Sequence, residues 1–211
     1  MAGRRPEPGN RRRSRVIRLL RAAERTVAPW KNGGGVTRAI AGGPAGSGTA
    51  GFDWRVSLAD VASDGPFSAF PGVDRILTMV EGAGMDLALD GLGRRQVDTR
   101  HVPQHFPGDV PTHCRLLDGP VVNLNVMYRR GGGTTAEVAV VRGDVTVAPA
   151  APDGTTVAVV LDAPAAFTGS ALTAELGPYD AVLCDGADGG VLAAPGGAVL
   201  ITVRGTAGGD R

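Results

Sequence analysis

The sequence predicts an all-β protein, a sandwich or a barrel, on three observations. Glycine and proline, 33 and 15 of 211 residues, cut most of the chain into runs too short for ordinary helices. Many of these runs alternate apolar and polar residues with period two. Turn residues separate them at regular intervals, as in sandwiches and barrels. The composition is 43% hydrophobic but only 4% aromatic, so Val, Leu, Ala and Ile must build most of the core.

The elements follow in chain order. Residues 1–14 form an arginine-rich leader with no apolar pattern and are expected to be disordered. The longest run without glycine or proline is Asn10 to Ala28. Next comes "PWKNGGGVTR", Pro29 to Arg38, with the single lysine of a chain that otherwise uses arginine. Asn32-Gly33 is a strong two-residue hairpin signal, because a type I′ turn needs positive φ at both central residues. Lys31 and Asn32 then sit at a hairpin tip or bulge, beside backbone that a ligand can approach closely. Lys31 has two readings. It is a solvated turn residue, or its compact ammonium serves a geometric need that a planar guanidinium does not meet.

"FDWRVSLAD" puts Phe52, Trp54, Val56 and Leu58 on one face and Asp53, Arg55, Ser57 and Ala59 on the other. "DGPFSAFPGVDR" brackets Phe67 and Phe70 with two turns, which reads as a rigid loop anchored by aromatic burial. Arg75 enters the following strand, as a surface residue or as a fork for a carboxylate. "MDLALD" puts Met85, Leu87 and Leu89 on one face. "NLNVMYRR" puts Val122, Leu124, Val126 and Tyr128 together and sets Asn123, Asn125, Met127 and Arg129 opposite. Two asparagines, a methionine and an arginine make an odd solvent face and a plausible pocket wall. Arg55 and Ser57 could line the same space. Periodicity does not distinguish a lumen from water. There is also a faint internal echo. "FPGDVPTHC" and "GPYDAVLCDG" match Asp109 to Asp180 and place Cys114 near the position of Cys184.

Charge and motifs narrow the function classes. Six arginines against one glutamate put +5 on the first 15 residues, which leaves −4 on the rest of a chain of net charge +1. The body offers no basic face to nucleic acid. The apolar run "VIRLLRAA" is broken by Arg18 and Arg21, so no signal peptide is read, and no stretch approaches membrane-spanning length. A cytoplasmic protein is expected. Cys114 and Cys184 read as buried free thiols, with one disulfide as the alternative. His101, His105 and His113 lack the convergent spacing of a metal site, so no metal or other cofactor is expected. Phosphate-loop, dinucleotide and nucleophile-elbow motifs are missing.

Four stretches, in order, resemble the HutD/Ves family: "PWKNGGGVTR", "WRVSLADVASDGPFSAFPGVDRIL", "FPGDVP" and "LLDGPVVNLNVMYRR". The likeness covers Arg15 to Arg130, and the C-terminal third only by strand pattern and length. It implies a cupin-like (RmlC-like) double barrel, two fused germin-like β-barrels, with a first unit at 15–140 and a second, intimately packed unit at 141–211. The family motif falls on Trp30, Lys31, Asn32, Gly33, Arg55, Asp64, Phe67, Phe70, Arg75, Asn125, Met127, Arg129 and Arg130. Ala39 stands where relatives often carry Glu, and Asn123 where Asp is common. The family lacks the usual cupin metal ligands, and so does this chain.

The resemblance implies an accessory or regulatory role in histidine breakdown. The expected activity is metal-free binding of a small anionic metabolite such as urocanate or formylglutamate. The expected site is Trp30, Lys31, Asn32, Arg55, Ser57, Arg75, Asn123, Asn125, Met127 and Arg129. Two alternatives stand beside it: a metal-independent enzyme using a buried Lys31, and an interaction protein without a ligand. A homodimer fits the family type.

Overall fold

A computed structural model describes residues 16–44, 51–149, 151, 154–186 and 189–205. The arginine-rich leader lies outside them. The described chain is all-β apart from one 3-10 turn, Ala22–Glu24. Its strands are β1 (Val16–Leu20), β2 (Val27–Pro29), β3 (Gly35–Gly43), β4 (Trp54–Val61), β5 (Gly65–Pro66), β6 (Val73–Glu81), β7 (Met85–Leu89), β8 (Gly93–Val97), β9 (Gln104–Pro107), β10 (Thr112–Leu116) and β11 (Val121–Arg129). They continue with β12 (Thr135–Val147), β13 (Thr155–Val160), β14 (Ala165–Gly169), β15 (Thr173–Leu176), β16 (Ala181–Asp185) and β17 (Gly190–Arg204).

The strands form three sheets. A six-stranded sheet runs β2-β3-β4-β11-β6-β9, and a four-stranded sheet runs β5-β10-β7-β8. A seven-stranded sheet runs β1-β16-β13-β17-β14-β15, with β12 also paired to β17. The six-stranded sheet buries both faces. Val56, Leu58, Ile76, Leu124 and Val126 meet Val157, Val159, Leu183, Val199 and Ile201 of the seven-stranded sheet. On the other face Val61, Leu77, Met79 and Val121 meet Met85, Leu87, Leu89 and Cys114 of the four-stranded sheet. The seven-stranded sheet wraps a further cluster that includes Val160, Phe167, Leu176, Val182 and Leu192.

The period-two assignments of β4, β7 and β11 agree with this packing. Trp54, Val122 and Tyr128 flank the cluster holding Val56 and Leu124, and Met85, Leu87 and Leu89 are buried together. Phe52 departs from its predicted face. It precedes β4, so strand alternation does not bind it, and it packs with Val73 and Met127 instead. In β12 alternation serves both cores, and a register shift lies between Val141 and Gly143. Val138 and Val140 pack on the first cluster, and Val141 and Val145 on the second.

The two expected units share strands across residue 140. β12 straddles that point, and β1 pairs with β16 rather than with the six-stranded sheet. Cys114 and Cys184 are free and buried in separate clusters, and burial pushes their thiols up to about 12 and about 11. Among the described residues no helix is long and apolar enough to cross a membrane.

The glycine run has two structural reasons. Trp30 N donates to Gly35 O (2.9 Å) and Gly33 N to Trp30 O (3.0 Å). Lys31 and Asn32 are therefore the central residues of a β-turn, and Gly33 follows at φ +70°. This corrects the expected type I′ turn on Asn32-Gly33: Asn32 keeps a negative φ, and its Oδ1 accepts from Gly34 N at 3.1 Å. Gly35 is fixed by proximity. A Cβ there would lie 2.3 Å from Asp60 O and 3.2 Å from the Trp30 ring. Gly35→Ala is expected to destabilise the fold by about 1–3 kcal/mol, as overpacking does. Thermal unfolding checks this, with a midpoint drop of about 2–4 °C per kcal/mol for a chain of this size.

Candidate functional site

Three neighbouring strands bring the polar residues together. Register places Arg55 opposite Met127, Ser57 opposite Asn125 and Ala59 opposite Asn123 across β4 and β11. On the other side of β11, Arg75 of β6 lies opposite Met127. All of these point to the face whose far end is the apolar Leu77–Met79–Val61 packing. The near end opens into a cavity of about 480 Å³. The β2–β3 hairpin closes one side with Trp30, Lys31 and Asn32, and the β5–β6 connection closes another with Phe67, Ser68 and Phe70.

Nine of the ten expected site residues line this cavity: Trp30, Lys31, Asn32, Arg55, Ser57, Arg75, Asn123, Asn125 and Met127. Arg129 does not. It ends β11 beyond the cavity, where its Nε donates to Phe52 O at 3.4 Å. Phe67 and Phe70 have a larger part than loop anchoring. Their ring centroids lie 5.2 and 5.9 Å from the Arg75 guanidinium carbon, and Phe106 adds a third ring at 5.0 Å. Thr37 and Ala59 also line the site. Ala59 was within reach of the sequence, since it shares the alternating face of Arg55 and Ser57. Ala39 is exposed and outside the lining, although register sets it opposite Ser57, just before a shift between Ala39 and Ala41. Asn123, by contrast, is completely buried.

Arg75 dominates the electrostatics. It is 5% exposed, and burial pulls its pKa down to about 10, so it remains a cation near neutrality. No carboxylate of the described residues pairs with it, and none lines the cavity. Three aromatic faces compensate part of its desolvation, at about 0.5–2 kcal/mol each. Arg75 can only donate, so Asn125 must turn its oxygen towards it (3.0 Å). Asn125 Nδ2 then donates to Asn123 Oδ1. The relay leaves two buried donors without acceptors, Arg75 Nε and Asn123 Nδ2.

Other cations sit nearer the mouth. Arg55 is half-buried, its pKa lowered by desolvation, and Lys31 is exposed. The buried lysine that a catalytic reading required is therefore replaced by a rim lysine on a turn. Trp30 is fixed by a hydrogen bond from Nε1 to Thr37 Oγ1 (2.8 Å) and an edge-on contact with Phe67. The arrangement can neutralise negative charge, donate hydrogen bonds to acceptors and pack an apolar or planar body against Phe67, Phe70 and Met127. The histidines do not converge. His105 and His113 are exposed on β9 and β10, and His101 lies 3.8 Å from Asp162. No group of three or more metal-ligating side chains forms among the described residues.

Comparison with known proteins agrees with these observations. Among solved structures, HutD from Pseudomonas fluorescens SBW25 (formate condition) superposes with a TM-score of 0.77 at 32% identity, covering 90% of this chain and 99% of that one. A conserved protein of unknown function from Pseudomonas aeruginosa PAO1 gives 0.75 at 30% identity, covering 90% and 97%. A bacterial pirin from Escherichia coli in complex with nickel(II) gives 0.62 at 12% identity, a likeness of cupin fold alone. Among curated sequences, an uncharacterized 21.2 kDa protein in the hutC 3′ region of Pseudomonas putida is 40% identical over 115 residues, 53% of this chain and 58% of the relative. Protein Ves of Citrobacter koseri is 40% identical over 103 residues, 48% of this chain and 52% of the relative. The chain spans a little over half the length of these curated relatives. The pattern that defines the HutD family matches residues 22–201, and the chain belongs to that family.

Proposed function

We propose that the protein holds a small carboxylate metabolite in this cavity and acts as an accessory or regulatory protein in histidine utilisation. The observation that carries the reading is Arg75, a buried cation with no acidic partner among the described residues. Leaving a charge buried without a counter-charge costs several kcal/mol, a cost that a bound anion removes. Arg75 Nε and Asn123 Nδ2 favour acceptors at the buried end, and Arg55 and Lys31 favour a second negative group near the mouth. Formylglutamate, with two carboxylates, meets both ends, and urocanate meets the buried end with its single carboxylate. The link to histidine utilisation rests on the family and on the hutC-region relative. We read the architecture as two fused barrels. The six- and four-stranded sheets enclose the cavity, and the seven-stranded sheet packs around its own apolar cluster.

A thermal-shift screen tests the reading, using histidine, urocanate, formiminoglutamate, formylglutamate, glutamate and formate, each with and without chelator. A ligand at about 100 times its dissociation constant adds roughly 2.7 kcal/mol. The expected result is a shift of about 5–10 °C with urocanate or formylglutamate, unaffected by chelator. No shift with any of these acids would refute it.

A further inference from the structure

The segment Phe67–Gly72 carries two of the rings against Arg75, yet Ser68, Ala69 and Pro71 are exposed. What holds it is the turn Pro107-Gly108-Asp109. Phe70 N donates to Gly108 O (2.7 Å), and Gly108 N donates to Val73 O (2.7 Å). A Cβ on Gly108 would lie 2.9 Å from Val73 O and 3.4 Å from Arg75 Cδ, so this turn runs close beside the Arg75 side chain. Asp109 completes the attachment with both oxygens. Oδ1 accepts from Gly72 N and Oδ2 from Arg130. Arg130 returns to the same segment, its backbone N donating to Gly72 O (2.8 Å) and its guanidinium to Asp74 (2.6 Å). Arg130 holds the Asp109 carboxyl below the usual carboxylate range, with Gly72 N adding to the effect.

We propose that Asp109, clamped by Arg130, is a positioning residue for the anion site: it acts through Gly72 and Phe70 to keep the aromatic wall closed on Arg75. A second observation separates this role from general bracing. Asp180, the counterpart of Asp109 in the sequence echo, makes the same kind of attachment. It accepts from Ala22 N (2.7 Å), Gly177 N (3.2 Å) and the Arg21 guanidinium (2.7 Å). None of those groups lines the cavity. The two aspartates share an architecture, and only Asp109 is coupled to Arg75.

The test needs no ligand. Phenylglyoxal modifies exposed arginines, and peptide mapping by mass spectrometry reports the rate at Arg75. Asp109→Ala is expected to raise that rate on the order of tenfold over wild type, because the wall that excludes the reagent is released. Asp180→Ala is expected to leave it unchanged. Arg130→Met removes half of the clamp and serves if Asp109→Ala does not fold. Equal Arg75 rates in wild type and the folded clamp variant overturn the proposal, and so does an equal rise in Asp180→Ala, which would mean general loosening. The consequence for ligand rests on the binding reading. Formylglutamate is expected to bind Asp109→Ala on the order of tenfold more weakly, as in sites whose supporting shell is loosened. If none of the screened acids binds wild type, that reading falls while the Arg75 rates still decide the role of Asp109.

Discussion

Arg75→Met is expected to leave the unliganded protein as stable as wild type, or up to about 2 kcal/mol more stable, while removing most or all of the ligand stabilisation. The two effects share one cause. Arg75 is buried without a carboxylate partner, and replacing a buried charge by an apolar side chain of similar volume is often neutral or stabilising. Methionine keeps packing against Phe67, Phe70 and Phe106, although Asn125 loses its donor. A bound carboxylate loses a charge-assisted partner in a dry site, which costs about 2–5 kcal/mol, or roughly 30- to several-thousand-fold in affinity. Thermal unfolding with and without the best acid measures both quantities. A structural Arg75 predicts the reverse pattern, with a lower midpoint and unchanged ligand shift.

Leu124→Ala should give the largest loss of stability. Leu124 is 1% exposed and sits in the cluster that joins the six- and seven-stranded sheets. Truncating a buried leucine costs about 2–5 kcal/mol from lost transfer energy and the cavity left behind. For a chain of this size that lowers the midpoint by about 5–15 °C. Because both sheets share the cluster, unfolding should remain a single transition, followed by fluorescence of Trp54, which packs against it. Two separated transitions would show that the sheets are energetically independent.

Much of the site was legible because β4 and β11 are regular. Alternation alone grouped Arg55 with Ser57 and Asn123 with Asn125 and Met127, and antiparallel pairing then laid those groups side by side. Arg75 could be named but not placed, since nothing local says that β6 flanks β11. The aromatic cage was illegible for the same reason. Phe67 and Phe70 on one loop and Phe106 on a distant strand are brought to one guanidinium only by tertiary packing. Arg129 misled because period two continues on paper past the point where the strand leaves the cavity. β3 and β12 also carry register shifts that no residue type announced. The pairing of β1 with β16 joins residues 161 or more positions apart in sequence, beyond the reach of any local pattern.

The central claim is that Arg75 receives an anion. A crystal structure of the protein with the acid that gives the largest thermal shift tests it most directly. The account predicts a carboxylate oxygen about 2.7–2.9 Å from the Arg75 guanidinium, with a further acceptor within reach of Asn123 Nδ2. An acid bound elsewhere, with the Arg75 guanidinium untouched in a filled or empty cavity, would contradict it.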